Sequence, residues 1–391
     1  MVPMTRIDRY KNIWALVALL LLAGWLNPRL VMAAPRLSSQ YYCLIDAESG
    51  QYIHGKNANV ERPMASTTKM MTAILAVEYT SLDEVAVVTA NADRTAEYTI
   101  GLQAGQKLPV GELLKVALIR SANDAAVVLA EHVAGDEKFF AYLMSKKALL
   151  IGAANTRFQN ASGLPAKNHY STAYDLAQIG RYAIAKPVIQ ELVSTVQTTF
   201  KHPAYLEPLT IRNTNAGLLA GYKGADGIKT GTTNDAGQCL VASSTRGDRS
   251  LIAVALNSNN RQGDCIKLMD YGYQSTTRQK LLDHQESFKT LKVNNGEPAW
   301  VEVVTADDVW LWLGEDTDNI EKIVRLHYNL DAPVMRDQVL GEADIYINDR
   351  YFQSVALVSQ NHIGQQPWLV QRLLKQWIEN IRAGRNDPIG S

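Results

Sequence analysis

Residues 66–79 constrain the fold most strongly, because they form a helical pattern with apolar side chains on most faces. These apolar side chains belong to Met70, Met71, Ile74, Leu75 and Val77. A surface helix keeps its apolar residues on one side, at a period of 3.6 residues. This segment does not, so we predict that it is buried by other elements. The chain therefore requires a fold in which this helix is central.

The composition of the chain excludes several classes of protein. Of its residues, 47% are hydrophobic and 20% are charged, a composition too apolar for a disordered chain. Its length of 391 residues is sufficient for two domains, each with its own hydrophobic core. Basic and acidic residues both number 39, so no basic surplus supports a nucleic-acid partner. Three cysteines cannot form a disulfide scaffold or a four-thiolate zinc site.

The N-terminus has the order of a secretory signal peptide. The basic residues Arg6, Arg9 and Lys11 precede an apolar run at 13–25, which is shorter than the roughly 20 residues that span a bilayer. Small residues follow, and we predict a signal peptide at 1–33 with cleavage after Ala33. An uncleaved signal anchor is the alternative. The mature protein is expected to work outside the cytoplasm.

The next part of the chain combines α and β patterns. Its predicted elements are a hairpin at 40–54, helices at 66–79, 111–134 and 171–184, and strands at 239–243 and 251–256. The helical stretch at 111–134 is broken at Ser121-Ala122-Asn123. Helical sequence therefore lies between two β regions.

The C-terminal part has a different pattern. After about Glu286 the helical signal is lost and short alternating strands predict a small all-β domain. Residues 368–381 then form an amphipathic helix with basic flanks, which can lie in a membrane interface. Packing of this helix on the β domain or on a second subunit is the alternative.

The string Ser66-Thr67-Thr68-Lys69, at the start of the central helix, can combine a nucleophile with its base. Residues three apart share a helix face, so the Ser66 hydroxyl and the Lys69 amine can meet. Burial disfavours the charged form of a lysine, which can then accept a proton. The helix N-terminus adds free N–H groups where an oxyanion would develop. A capping serine beside a solvent-exposed lysine is the alternative reading.

Two further strings carry suitable chemistry. Ser121-Ala122-Asn123 lies at a helix break, where a hydroxyl and an amide could point into a cleft. Lys229-Thr230-Gly231-Thr232-Thr233 lies at the head of a predicted strand, and Gly231 lets another backbone approach the strand edge. A cation, hydroxyls and an open edge suit an extended peptide that ends in a carboxylate.

In this order the three strings resemble those of the penicillin-recognising serine acyltransferases, in particular the low-molecular-mass penicillin-binding proteins that act as D-alanyl-D-alanine carboxypeptidases. The resemblance runs from about Tyr42 to Tyr273 and is strongest at 64–72, 121–125 and 226–233. It implies an α/β (α+β) fold of the serine β-lactamase/DD-peptidase type, with a mainly antiparallel sheet flanked by helices and a small C-terminal all-β domain.

The domain layout also resembles that of these carboxypeptidases. It implies a catalytic domain at 34–285, a small β domain at 286–360, and a linker with an amphipathic membrane-anchoring helix at 361–391. In the family, this tail holds the enzyme on the outer face of the cytoplasmic membrane.

The resemblance further implies catalytic roles. Ser66 would attack the peptide carbonyl of D-Ala-D-Ala, with Lys69 as the base that takes its proton. Ser121 would relay a proton to the leaving D-alanine. The backbone N–H groups of Ser66 and Thr232 would form the oxyanion hole. No metal or organic cofactor would be needed, and β-lactam antibiotics would act as acylating inhibitors.

Substrate binding is implied for the residues Asn123, Lys229, Thr230, Gly231, Thr232 and Arg261. Asn123 would hydrogen-bond the substrate or Lys69, and Lys229 would lower the pKa of Lys69. Thr230 and Arg261 would bind the terminal carboxylate, although Gln262 follows this arginine where the family usually has phenylalanine.

The implied reaction trims a peptidoglycan stem pentapeptide to a tetrapeptide. An endopeptidase acting on cross-linked peptides is an alternative that the sequence does not separate from this reaction. A β-lactamase is disfavoured because no Glu-x-x-Leu-Asn string lies between Asn123 and Lys229. A silent cell-wall binding protein is the third alternative, although every motif residue is present.

Overall fold

The computed structural model describes residues 34–314, 319–367 and 369–384, and the predicted signal peptide lies outside them. In the described residues the α-helices are α1 (Lys69–Tyr79), α2 (Ala90–Asp93), α3 (Val110–Lys115), α4 (Asn123–Ala134), α5 (Glu137–Leu150), α6 (Ala173–Ile184), α7 (Pro187–Ser194), α8 (Ala216–Gly221), α9 (Arg261–Ser275) and α10 (Leu369–Gly384). A 3₁₀ turn at Ala65–Thr68 leads into α1, and a π-helical turn at Val116–Arg120 follows α3.

The strands divide between two regions of the described chain. The first region contains β1 (Tyr41–Asp46), β2 (Tyr52–Lys56), β3 (Val85–Val87), β4 (Lys107–Pro109), β5 (Gln197–Phe200), β6 (Leu209–Arg212), β7 (Ala225–Thr233), β8 (Gly237–Arg246) and β9 (Arg249–Ser258). The second contains β10 (Thr276–Leu282), β11 (Lys289–Asn294), β12 (Gly296–Glu297), β13 (Trp300–Thr305), β14 (Val309–Gly314), β15 (Ile320–Leu326), β16 (Leu330–Asp331), β17 (Val339–Ile347), β18 (Arg350–Ser359) and β19 (Gly364–Gln365).

A five-stranded antiparallel sheet in the order β2-β1-β9-β8-β7 organises the first region. Successive side chains of a strand point to opposite faces, so Cys43 and Ile45 lie in one core while Tyr42 and Leu44 lie in another. Helix α9 packs into the smaller core, and α1, α4 and α6 contribute to the larger one. The predicted fold class, an antiparallel sheet flanked by helices, is confirmed.

Helix α1 is enclosed, as its sequence predicts. Every residue from Lys69 to Ala76 is buried, including the lysine. A buried cation is costly unless polar groups surround it, or unless it loses its proton. The enclosed helix therefore carries an ionisable group into the interior directly beside the first motif.

Some elements differ from the sequence prediction. Helices α2, α5, α7, α8 and α9 carry no prediction. In α5 the exposed side chains of Phe139, Tyr142 and Leu149 obscure the apolar stripe. The prediction that Lys229 lies at the head of a strand is wrong. Strand β7 begins at Ala225, which pairs with Ser244 of β8, so the motif occupies the second half of the strand.

The second region is all β, as predicted. Its six-stranded sheet has the order β15-β17-β18-β13-β11-β16 and encloses a separate aliphatic core. Strand β10 pairs with β14, and β19 pairs with β12. These hydrogen bonds assign β10 and β19 to the second region. Strand pairing thus favours a boundary near Ser275 over the predicted one at 285. The domain limits stay a proposal.

Two contacts join the regions at Trp312. Its backbone exchanges two hydrogen bonds with the Gln51 side chain, which donates through Nε2 at 2.7 Å and accepts through Oε1 at 2.8 Å. The Arg249 guanidinium lies 3.6 Å from the centroid of the Trp312 ring. The hairpin of the first region therefore contacts the second region directly.

Helix α10 follows the β domain and exposes a row of apolar side chains. The exposed side chains are Val370, Leu373, Leu374, Trp377, Ile378 and Ile381. Among the described residues, none of the helices has the length and apolar character required for crossing a membrane.

Candidate active site

Ser66 lies in a 3₁₀ turn that its neighbours hold in a strained conformation. Ala65 has φ +48°, a left-handed value that residues with a Cβ rarely adopt. The Thr67 hydroxyl donates to the Met64 carbonyl at 2.7 Å, and the Thr68 hydroxyl donates to the Ala65 carbonyl at 2.8 Å. These bonds offset the strain. Ser66 itself is partly exposed, so its hydroxyl is accessible.

The Lys69 amine lies directly behind this hydroxyl. Its Nζ is 3.1 Å from Ser66 Oγ, 2.5 Å from Asn123 Oδ1 and 2.6 Å from the Ser162 carbonyl oxygen. Complete burial, and secondarily the positive charge of Lys229, holds the pKa of Lys69 well below its usual value. Lys69 therefore has a larger free-base fraction at neutral pH than an exposed lysine.

The break between the π-helical turn and α4 places Ser121 and Asn123 on one wall of the cleft that contains Ser66. Ser121 ends the π-helical turn with φ +68°, and α4 starts two residues later. Asn123 is held by its backbone N–H, which donates to the Tyr98 carbonyl at 3.0 Å, and by its amide Nδ2, which donates to the Glu97 carbonyl at 3.0 Å. This orients Oδ1 of Asn123 towards Lys69.

Strand β7 forms the other wall and carries a second buried lysine. Lys229 Nζ donates to Ser121 Oγ at 3.0 Å and to the Thr230 carbonyl at 3.1 Å. Burial, and then the positive charge of Arg261, lowers the pKa of Lys229 to about 7. Lys69 thus contacts the Ser66 hydroxyl, and Lys229 contacts the Ser121 hydroxyl.

Gly231 lets the edge of the sheet approach the catalytic turn. A Cβ at this position would lie 2.9 Å from the backbone nitrogen of Ser66 and 2.9 Å from the Ala65 Cβ. No side chain fits such a gap without a shift of the turn. The close approach expected at Gly231 is therefore present, with the turn of Ser66 as the neighbouring backbone.

Thr230, Thr232 and Arg261 line the same cleft, which has a volume of about 190 Å³. Arg261 Nη1 donates to Thr232 Oγ1 at 2.8 Å and to the Gly231 carbonyl at 2.9 Å. Thr230 Oγ1 donates to Thr214 Oγ1 at 2.6 Å. All nine residues named from the motifs thus meet around one cleft.

The structure adds two groups that the sequence prediction missed. One is the Ser162 carbonyl, which no side-chain pattern could identify. The other is His169, whose Nδ1 accepts the Gln159 N–H at 3.0 Å. The proton must therefore be on Nε2, which lies 2.8 Å from Thr68 Oγ1 behind the catalytic turn. Burial, with a smaller effect of Lys69, lowers the pKa of His169 to about 4, so the ring is neutral.

One cluster in the described residues has the side chains of a cation site. Asp283, His284 and Asp308 lie together at the start of the β domain. Lys280 Nζ is 2.9 Å from both aspartates, so a cation is already present between the carboxylates. The Lys280 ammonium therefore neutralises charge that a metal ion would otherwise balance, and we assign no metal to this cluster.

The family model described as D-alanyl-D-alanine carboxypeptidase matches residues 29–260, which is more than half of the chain. The chain belongs to the D-alanyl-D-alanine carboxypeptidase family. A second model, described as the C-terminal domain of penicillin-binding protein 5, matches residues 277–365. The family predicted from the three motifs is therefore confirmed, and the protein is a serine-type D-Ala-D-Ala carboxypeptidase.

Individual relatives agree with this assignment. The chain is 31% identical to D-alanyl-D-alanine carboxypeptidase DacF of Bacillus subtilis, with 76% of this chain and 79% of the relative covered. It is 29% identical to DacC of Escherichia coli, with 84% and 85% covered. Penicillin-binding protein 5 of Haemophilus influenzae has a similar structure, with a TM-score of 0.71, 26% identity, and 85% and 100% coverage. Members of the family act on peptidoglycan and bind β-lactams covalently.

Proposed function

We propose that Ser66 is the nucleophile and Lys69 its base in the removal of D-alanine from peptidoglycan stem pentapeptides. The contact of 3.1 Å between Lys69 Nζ and Ser66 Oγ carries this proposal. Neutral Lys69 takes the hydroxyl proton as Ser66 Oγ attacks the carbonyl carbon of the penultimate D-alanine. The lowered pKa of the lysine makes the neutral form accessible near neutral pH.

The tetrahedral intermediate carries its negative charge on the former carbonyl oxygen. We assign its stabilisation to the backbone N–H groups of Ser66 and Thr232. The closeness of β7 to the turn of Ser66 at Gly231 supports this pairing. Side-chain substitution cannot remove these donors, so they must be tested through the backbone geometry that holds them.

Breakdown of the intermediate requires a proton on the departing amine. Ser121 relays it: its hydroxyl, oriented by the Lys229 amine at 3.0 Å, gives its proton to the departing amine and takes up the proton that Lys69 received from Ser66, so Lys69 is neutral again. The C–N bond breaks, D-alanine leaves with the proton, and Ser66 holds the acyl group as an ester. Water then attacks the ester while neutral Lys69 accepts its proton. The bond between the acyl carbon and Ser66 Oγ breaks, Lys69 returns the proton to Ser66 Oγ, and the tetrapeptide is released.

Substrate binding uses the two walls of the cleft. The peptide extends along the edge strand β7 beside Gly231, and the Asn123 amide faces its backbone from the other wall. Thr230, Thr232 and Arg261 take the terminal carboxylate, because they supply hydroxyls and a guanidinium on the same strand edge. Lys229 adds positive charge nearby when it is protonated.

The D-alanine assay tests the nucleophile and the reaction together. Residues 34–391 are expected to release D-alanine from diacyl-L-Lys-D-Ala-D-Ala, whereas Ser66→Ala protein releases none above background. Ser194→Ala removes a partly exposed hydroxyl that donates to the Glu191 carbonyl and does not line the cleft, and it should keep the wild-type rate. Penicillin labelling that persisted in Ser66→Ala protein would contradict the assignment. Penicillin labelling of the wild type without release of D-alanine would instead favour an endopeptidase or a silent binding protein.

We also propose that the protein is secreted and that α10 attaches it to the outer face of the cytoplasmic membrane. The helix ends the described chain with its apolar side chains exposed and with Lys375 and Arg382 nearby. This combination suits an interface with anionic lipid. The folded catalytic and β domains would then face the periplasm or cell wall.

Binding to vesicles tests the attachment. Truncation after Pro367 is preferred to an earlier cut, because Ile363 is buried in the β-domain core. The truncated protein and Trp377→Glu should lose co-sedimentation with vesicles that contain anionic lipid. Gln376→Glu adds the same charge without removing apolar surface and should bind nearly as the wild type does. Equal binding by the truncated and complete chains would overturn the proposal.

A further inference from the structure

The catalytic cleft contains a guanidinium for which the proposed mechanism has no use. Nine residues line the cleft, two of them are arginines, Arg120 and Arg261, and none is acidic. Arg261 is bonded to the backbone and to Thr232. Arg120 is exposed, and in the part of the chain described by the structure it has no hydrogen bond or ion pair. An unpaired arginine in a binding cleft has the donor set for a carboxylate.

The backbone on both sides of Arg120 is fixed. The Ile119 carbonyl accepts the Thr214 N–H at 3.1 Å, and the Ser121 N–H donates to the Val116 carbonyl. Ile119 is also fully buried. The exposed guanidinium therefore extends from a rigid base, and binding a ligand would order only its own side chain.

The neighbours of Arg120 place it beside the leaving-group end of the cleft. Ser121, the next residue, is the proposed donor to the departing amine. Thr214, which is bonded to the Ile119 carbonyl, also contacts the Thr230 hydroxyl at 2.6 Å. Thr230 is the proposed ligand of the terminal carboxylate. Arg120 thus lies beside two groups that handle the departing D-alanine, one on each wall of the cleft.

We propose that Arg120 is a specificity-determining residue that binds a free carboxylate of the peptide substrate. This rests on the proposed function, because it assumes that the peptide occupies the cleft around Ser66. The carboxylate comes from the departing D-alanine or from a side chain of the acyl part. A planar guanidinium can bind either one with two parallel hydrogen bonds. The protein would therefore select peptides that carry the acid at that position over their neutral counterparts.

Kinetics of Arg120→Gln on matched peptides test this proposal. If the departing D-alanine supplies the carboxylate, the KM of the variant for diacyl-L-Lys-D-Ala-D-Ala should be about tenfold above the wild-type value, with kcat within about twofold, as expected for a partly exposed charged hydrogen bond. If the acyl part supplies it, the same rise should appear only with a peptide that carries a side-chain carboxylate in that part. Arg94→Gln removes an exposed arginine that does not line the cleft, and should change neither constant. Because both variants lose one positive charge, this control separates binding at Arg120 from the effect of the net charge of the protein.

Two further peptides identify the carboxylate. One ends in D-alaninamide, and the other has a side-chain carboxylate at the residue before D-Ala-D-Ala. Binding is measured by competition with labelling by fluorescent penicillin, which does not require turnover. A penalty of Arg120→Gln that vanishes with the amide assigns the departing D-alanine. A penalty that appears only with the acidic acyl part assigns that part.

An equal penalty on acidic and neutral peptides, or no penalty on any of them, would overturn the role of Arg120. This failure differs from failure of the proposed function. In the latter case the wild type itself releases no D-alanine from any free-acid peptide. Thermal unfolding of Arg120→Gln near the wild-type temperature is expected, because the side chain is exposed and has no hydrogen bond or ion pair among the described residues.

Discussion

Lys69→Met protein is expected to acylate about 10²- to 10⁴-fold more slowly with penicillin than the wild type does, the range lost with a general base. Methionine has a similar length but cannot accept the Ser66 proton. The reduction should be large because the short contacts of Lys69 hold its Nζ directly behind Ser66 Oγ. The measurement is the second-order rate constant for labelling by a fluorescent penicillin.

Lys69→Arg separates the loss of a base from the loss of a cation. Arginine keeps the positive charge but does not deprotonate, so its acylation rate should fall in the same way. Both variants leave Asn123 or Ser162 with altered partners, at a cost of about 1–3 kcal/mol for each unpaired group. Their folding is therefore checked by thermal unfolding before rates are compared. Acylation by Lys69→Arg within tenfold of the wild type would contradict the role of Lys69 as base.

Gly163→Ala protein is expected to lose about 10²-fold in kcat/KM for D-alanine release while it remains folded, because a displacement near 1 Å in a catalytic group has an effect of this size. Gly163 has φ +90°, and an added Cβ would lie 2.0 Å from the Ala65 carbonyl oxygen and 2.9 Å from the Ser66 nitrogen. The turn that carries Ser66 must then move. Its motion would also disturb one of the two proposed oxyanion donors.

Gly152→Ala provides a matched control for this change. Gly152 has a similar φ of +85°, but an added Cβ there would meet no atom within 4 Å. Both variants have the cost of an alanine in this backbone region, of the order of 1–3 kcal/mol. Only Gly163→Ala adds the collision with the catalytic turn. Equal activities of the two variants would show that the collision has no catalytic effect.

The local sequence pattern was sufficient to predict those elements in which the apolar positions are also the buried positions. Helix α1 is apolar on most faces and is buried on most faces. The strands of the second region alternate clearly, and they form an all-β domain. Helix α5 was not predictable in this way, because contacts with distant parts of the chain, and not its own apolar stripe, determine which of its side chains are buried. The strand pairing of β10 with β14 is also a tertiary fact.

The sequence alone determined the family, through the three motifs and their order. It also determined that Ser66 and Lys69 are neighbours, because residues three apart in a helical turn are close in any fold that keeps the turn. Only the tertiary structure decided the environment of that pair. Lys69 contacts Asn123 and Ser162, 54 and 93 positions away, and Lys229 contacts Ser121 across 108 positions. Such contacts depend on how the sheet packs against α1, and burial through this packing lowers the pKa of both lysines.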